Sequence, residues 1–145
     1  MRFAPIILFL TVYPVVVLAA IGCPKGTVPN GEQTHEVSEA WCELETNRAL
    51  LHGPYRAWYS NGVAGTIEHY DQGKREGKAA YRWDNGKKQA TGQYKNGVWE
   101  GVWLFWEKSG ATAGRAKYQR GALVSGQVPN WAVERDAPQA ARPSP

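Results

Sequence analysis

The sequence predicts an all-β fold, in which antiparallel β-hairpin repeats, three units of 24–25 residues, line up in a single elongated open sheet. Three observations carry that expectation. Glycine recurs in register at Gly53, Gly77 and Gly101, at Gly62, Gly86 and Gly110, and at Gly73, Gly97 and Gly121. Short runs rich in aromatic and β-branched residues lie between these glycines, as strands require. No stretch of this region keeps a 3.6-residue apolar period long enough for a helix.

The chain opens with Met1-Arg2, followed by an uncharged run from Phe3 to Gly22 that includes Ile6–Leu10 and Val15–Ala20. A charged start, an apolar middle and small residues at the end are the marks of a secretory signal, so residues 1–22 are expected to form a signal helix removed on export. Ala20-Ile21-Gly22 places small side chains for a cut before Cys23, and Leu18-Ala19-Ala20 offers a second site. Retention as a membrane anchor is the alternative, opposed by Pro5 and Pro14, which disfavour a regular spanning helix.

Residues 23–52 form a cysteine-flanked leader. It holds two basic and five acidic residues, a balance of −3, whereas residues 53–126 hold twelve basic and six acidic ones, a balance of +6. Such asymmetry points to two segments with different roles, or to one partly neutralising the other. Cys23 and Cys42 are the two cysteines of the chain. In an oxidising compartment an even count reads as a disulfide. Ala20-Ile21-Gly22-Cys23 also resembles a bacterial lipobox, with Ala20 where leucine is usual, in which Cys23 would carry lipid and Cys42 would stay unpaired, and both readings stand at this point.

The three units run from Gly53 to Glu76, from Gly77 to Glu100 and from Gly101 to Ser125, the last one residue longer. Asn61-Gly62, Asn85-Gly86 and Ser109-Gly110 each follow an aromatic run, and Asn-Gly readily takes the positive φ values of a tight hairpin turn. Second turns are expected at Gly73, Gly97 and Gly121. A lone hairpin is marginal in water, so stacked units must bury their rings on one another. Alternation sets Tyr55, Ala57 and Tyr59 against Arg56 and Trp58, and Trp103 and Phe105 against Leu104 and Trp106. The rings form the core on this reading, and Trp58 and Trp106 on the opposite face are candidates for a contact surface. Residues 127–133 can cap the open end of the sheet, and Asp136–Pro145, rich in Ala, Pro and Arg, reads as a disordered tail.

The pattern G-x-aromatic-x-x-W-aromatic-x-N-G, then Tyr-x-x-Gly and the joint Gly73-Lys74-Arg75-Glu76-Gly77, resembles MORN repeats. It is closest to the bacterial variant found in antitoxin-component proteins of the YwqK type. The likeness covers Leu51 to Gly126, with departures at Ala79, Arg82 and Glu107. Cys23–Leu44 looks like the leader that precedes such repeats in some exported bacterial proteins. The resemblance implies a β-hairpin sheet without enzymatic activity, used to bind proteins or lipid surfaces, with antitoxin-like inhibition of a toxin as a further option.

Catalytic and cofactor chemistry is not expected. His35, His52 and His69 are spaced 17 residues apart, out of phase with the repeat, so they should not converge on a metal. Ser60 and Ser125 lack an elbow motif, base and orienting acid, and no glycine run forms a phosphate loop. The favoured function is a protein-binding or scaffold module in the cell envelope or outside the cell. Its candidate surface comprises Trp58, Trp106, Lys74, Arg75, Lys87 and Lys88. The alternative is peripheral binding to anionic lipid or an envelope polymer. Nucleic acid is disfavoured by the export signal, despite basic residues interleaved with aromatics.

Overall fold

The computed structural model describes residues 21–33 and 37–132. The expected signal helix, apart from Ile21 and Gly22, lies outside these residues, as do His35 and the tail from 133 onward. Ten strands make up almost all of the described chain. They are β1 (Thr27–Gln33), β2 (Val37–Leu44), β3 (Asn47–Tyr59), β4 (Ala64–Asp71), β5 (Lys74–Arg75), β6 (Gly77–Arg82), β7 (Lys88–Lys95), β8 (Val98–Trp106), β9 (Thr112–Gln119) and β10 (Ala122–Gln127).

The strands form one open antiparallel sheet in chain order, β1-β2-β3-β4-β6-β7-β8-β9-β10, with β5 beside β4. β5 and β6 are two parts of one line of chain. Both pair with β4, through Tyr70↔Arg75 and Ile67↔Ala80, and the Glu76 amide between them donates to the His69 carbonyl at 2.8 Å. Each strand thus meets its sequence neighbour, the least entropically costly way to close a sheet. The acidic leader supplies β1, β2 and the first half of β3, so it extends the same sheet, and the step from leader to first unit at residue 53 falls inside β3.

All six predicted turn glycines lie in turns with positive φ, but the two sets use different geometry. At Gly62, Gly86 and Gly110 the glycine alone is left-handed. Its amide donates to the carbonyl three residues back (Tyr59, Trp83, Glu107) at 2.8–2.9 Å, which makes a type I turn closed by a left-handed glycine rather than the two-residue Asn-Gly turn expected. The two-residue loops with both φ values positive are instead Gln72-Gly73, Asn96-Gly97 and Arg120-Gly121.

The asparagines of the first set have another use. Asn61 Oδ1 accepts from the Val63 amide and Asn85 Oδ1 from the Lys87 amide, both at 3.1 Å, fixing the local turn. Their Nδ2 atoms reach across to the next hairpin, Asn61 to the Asp84 carbonyl at 2.7 Å and Asn85 to the Lys108 carbonyl at 2.9 Å. Tyr59 Oη and Trp83 Nε1 donate to the carbonyls of Arg82 and Trp106, both at 3.0 Å. One end of the sheet is therefore laced by side-chain bonds that recur every 24 residues. At the other end the Gly73, Gly97 and Gly121 amides donate to the carbonyls of Leu51, Arg75 and Trp99 at 2.8–3.0 Å.

Strand alternation and register divide the sheet into two faces. The inner face buries Ala79, Tyr81, Ala90, Tyr94, Trp99, Trp103, Phe105, Ala116 and Tyr118 in one cluster. Trp103 is fully buried, stacked on Trp99 at 4.4 Å between centroids and edge-on to Tyr94 at 5.2 Å. Gly92 makes room for that ring, since a Cβ there would lie 2.2 Å from Trp103 Cδ2. The segment after β10 folds back over this face. Trp131 meets Trp83 at 5.2 Å and Phe105 at 6.0 Å, and Ala132 is buried. It therefore covers the aromatic face, not the open end of the sheet where a cap was expected, because the unfilled apolar area lies on the face.

Candidate binding surface

A smaller core sits on the outer face, at the leader end. Ile21, Ala40 and Cys42 are buried there, with Cys23 and Trp58 packed against them. Cys23 and Cys42 are joined in a disulfide with Cα atoms 5.6 Å apart. This agrees with the disulfide reading and uses the sulfur that a lipid anchor would need. Bridging residues 19 positions apart stabilises the fold by about 3 kcal/mol in the chain-entropy model.

Beyond that patch, β6–β9 leave the outer face open to solvent. Register puts Lys78 and Arg82 of β6, Lys88 and Lys95 of β7, and Arg115 and Lys117 of β9 on it. Val102, Leu104 and Trp106 of β8 lie between these rows. Glu100 is the one carboxylate that β6–β9 contribute, and its Oε2 accepts the Arg120 amide at 2.7 Å in the adjoining turn. The result is a basic, half-apolar strip across four strands. Neighbouring strands about 4.8 Å apart hold the charges in a fixed grid.

The predicted surface residues do not gather at one place. Trp106 and Lys88 do meet, with the ammonium 5.4 Å from the ring centroid. Trp58 shares their face but is covered by the leader. Lys87 lies in the turn, where its Nζ donates to the Ser109 carbonyl at 2.6 Å. Lys74 lies near the opposite end of the hairpins, in β5, paired with Asp71 in the ladder. Arg75 departs furthest from expectation, because it points into the inner core.

There Arg75 joins a buried polar cluster. The Glu68 carboxylate, 4% exposed, accepts from Tyr81 Oη and from Tyr70 Oη at 3.1 Å, and Arg75 Nε lies 3.4 Å from it. Arg75 also donates to Tyr94 Oη at 3.0 Å and lies over that ring. Burial pushes the Tyr81 hydroxyl far above the usual phenol range, and the Glu68 charge adds to the shift. The Tyr70 hydroxyl is raised by the same two causes. Burial acts most strongly, and against the Arg75 charge, but the facing Glu68 carboxylate and the hydroxyls of Tyr94, Tyr70 and Tyr81 together outweigh it and hold the guanidinium protonated. One unit later the equivalent positions are Gly92 and Trp99, and after that Ala116 and Leu123. The ion pair thus replaces an apolar stack in one layer of the core.

Sequence reasoning missed Lys78, Lys95, Arg115 and Lys117, although simple alternation from the buried Tyr81, Tyr94 and Tyr118 puts all four outside. His52 also has a role in phase with the repeat. Its Nδ1 accepts the Gln72 amide at 3.4 Å, where Glu76 and Glu100 accept the amides of Asn96 and Arg120 at 2.7 Å.

No family model matches the chain, and no curated protein matches it. Among solved structures it is similar to a chain of the Glycosylation Associate Protein (Gap123) complex from Streptococcus agalactiae, with a TM-score of 0.39 and 14% identity over 81% of this chain. The match spans about a fifth of that chain's length (21%).

Proposed function

We propose that the chain is an exported, non-catalytic MORN-variant repeat protein that binds an acidic surface of a partner protein through the outer face of β6–β9. The observation that carries this reading is the charge pattern of that face, six cations against one carboxylate already engaged by a turn amide. Complementary charge steers encounter and sets orientation, while half-buried groups such as Trp106 and Leu104 supply contact area. The 24-residue recurrence of turns and of lateral hydrogen bonds supports the repeat assignment. The disulfide is compatible with export.

A second reading, anionic lipid, draws on the same cations, since each basic residue near a charged bilayer contributes about 1 kcal/mol. Titration with fluorescent poly-L-glutamate and co-sedimentation with phosphatidylglycerol vesicles, both at low and high salt, separate the two. Saturable, salt-sensitive binding to the polypeptide is expected, exceeding that to vesicles. Vesicle binding without polypeptide binding transfers the function to lipid, and binding to neither refutes the basic face as a site.

A further inference from the structure

We propose that export processing cuts the Ala20–Ile21 bond, so that the mature chain begins at Ile21. The inference rests on the export reading and deepens it. Two sites are available in the sequence, before Ile21 and before Cys23, and residue pattern alone favours the second, with Ala20 and Gly22 at its small positions. The folded chain points the other way. Ile21 is 4% exposed and belongs to the outer-face core with Ala40 and Cys42, against Cys23 and Trp58.

A cut before Cys23 would delete Ile21, which among the described residues is the cluster's one member from before the disulfide, and would uncover the bridge and the Trp58 ring. The residues just after it are equally built in. Pro24 lies so close to Gly53 that a Cβ there would be 2.8 Å from Pro24 Cδ, and Thr27 Oγ1 donates to the Pro24 carbonyl at 2.6 Å. Lipid processing at Cys23 needs Sγ for a thioether, and that atom is bonded to Cys42. The remaining site is Leu18-Ala19-Ala20, with alanine before the cut. The reaction is a simple hydrolysis. Water adds across the peptide bond, Ala20 keeps the carboxylate, Ile21 receives the amino group, and the sulfur of Cys23 takes no part.

The test follows processing of the full chain in an exporting bacterial host, read by intact mass and N-terminal sequencing. The expected product begins Ile-Gly-Cys and gains two hydrogen atoms on reduction. A charged or bulky residue at either small position of a site blocks the peptidase, so Leu18→Asp, which alters the inferred site alone, should accumulate precursor, while Gly22→Leu, which alters the other site alone, is processed as the parent. Cleavage acts on the unfolded precursor, so neither outcome depends on the variant folding. A product starting at Cys23, with or without acyl mass, or a block by Gly22→Leu with free passage of Leu18→Asp, overturns the site and leaves export standing. An uncut chain beginning at Met1 overturns both.

Discussion

The buried Glu68–Arg75 pair makes a quantitative demand. With Glu68 4% and Arg75 24% exposed at their side chains, both ions have given up much of their hydration. Removing one partner strands the other, which costs about 3–5 kcal/mol for a buried pair, whereas replacing both with apolar groups is often neutral. The chain itself supplies the replacements, since the third unit holds Ala116 and Leu123 at the equivalent positions. Arg75→Leu leaves the Glu68 carboxylate with only the Tyr70 and Tyr81 hydroxyls, and a loss of about 3 kcal/mol is expected. Glu68→Ala leaves Arg75 with Tyr70 and Tyr94 hydroxyls, and being more exposed it should lose about 2 kcal/mol. The double variant should lose about 1 kcal/mol, so the coupling is about 4 kcal/mol. Urea unfolding followed by tryptophan fluorescence measures all four corners of the cycle. A coupling near zero would show that the two ions act independently, and the structural reasoning would fail.

Three further outcomes follow from the same geometry. Gly92→Ala should cost about 2–3 kcal/mol in thermal or urea unfolding, because the added methyl enters the ring of a Trp103 that is held on both sides; a neutral result would mean that Trp103 can move. Asn85→Ser should keep the local turn bond, as Ser109 Oγ does with the Ala111 amide at 3.3 Å, but lose the bond to the Lys108 carbonyl, at a cost of about 1 kcal/mol. Unfolding at high pH tests the tyrosines. A hydroxyl whose folded pKa is raised contributes stability below its unfolded value, about pH 10, and that contribution is lost as pH rises above it. Stability should therefore fall above about pH 10, and Tyr81→Phe should flatten that fall; an unchanged alkaline limb would contradict the burial of Tyr81 beside Glu68.

The repeat was legible because its physics is local. Glycine at a left-handed position and a ring on every second residue leave marks that can be read from single letters, so the turns at Gly62, Gly86, Gly110, Gly73, Gly97 and Gly121 fall where expected. The turn type at Asn61-Gly62 was not legible, because Asn61 Nδ2 is committed to a carbonyl 23 residues away and the backbone then needs positive φ at the glycine alone. The leader was the larger gap. Val37–Leu44 shows no regular apolar alternation, and its strand identity depends on pairing with β3 and on the disulfide, both long-range. Arg75 was read as surface because arginine usually is; its burial depends on Glu68 facing it from the neighbouring strand. The outer-face cations were within reach, had the alternation been carried from each tyrosine to its neighbours.

The basic face is tested most directly by reversing the same number of charges on it and away from it. Lys78→Glu, Arg115→Glu and Lys117→Glu together reverse three charges on the outer face, and Lys25→Glu, Lys74→Glu and Arg120→Glu reverse three elsewhere. Both triple variants have the same net charge, so a general electrostatic attraction weakens equally in each. Poly-L-glutamate affinity at low salt should fall at least about tenfold more for the outer-face variant, a difference of about 1.4 kcal/mol. Equal losses in the two variants would contradict a defined binding face.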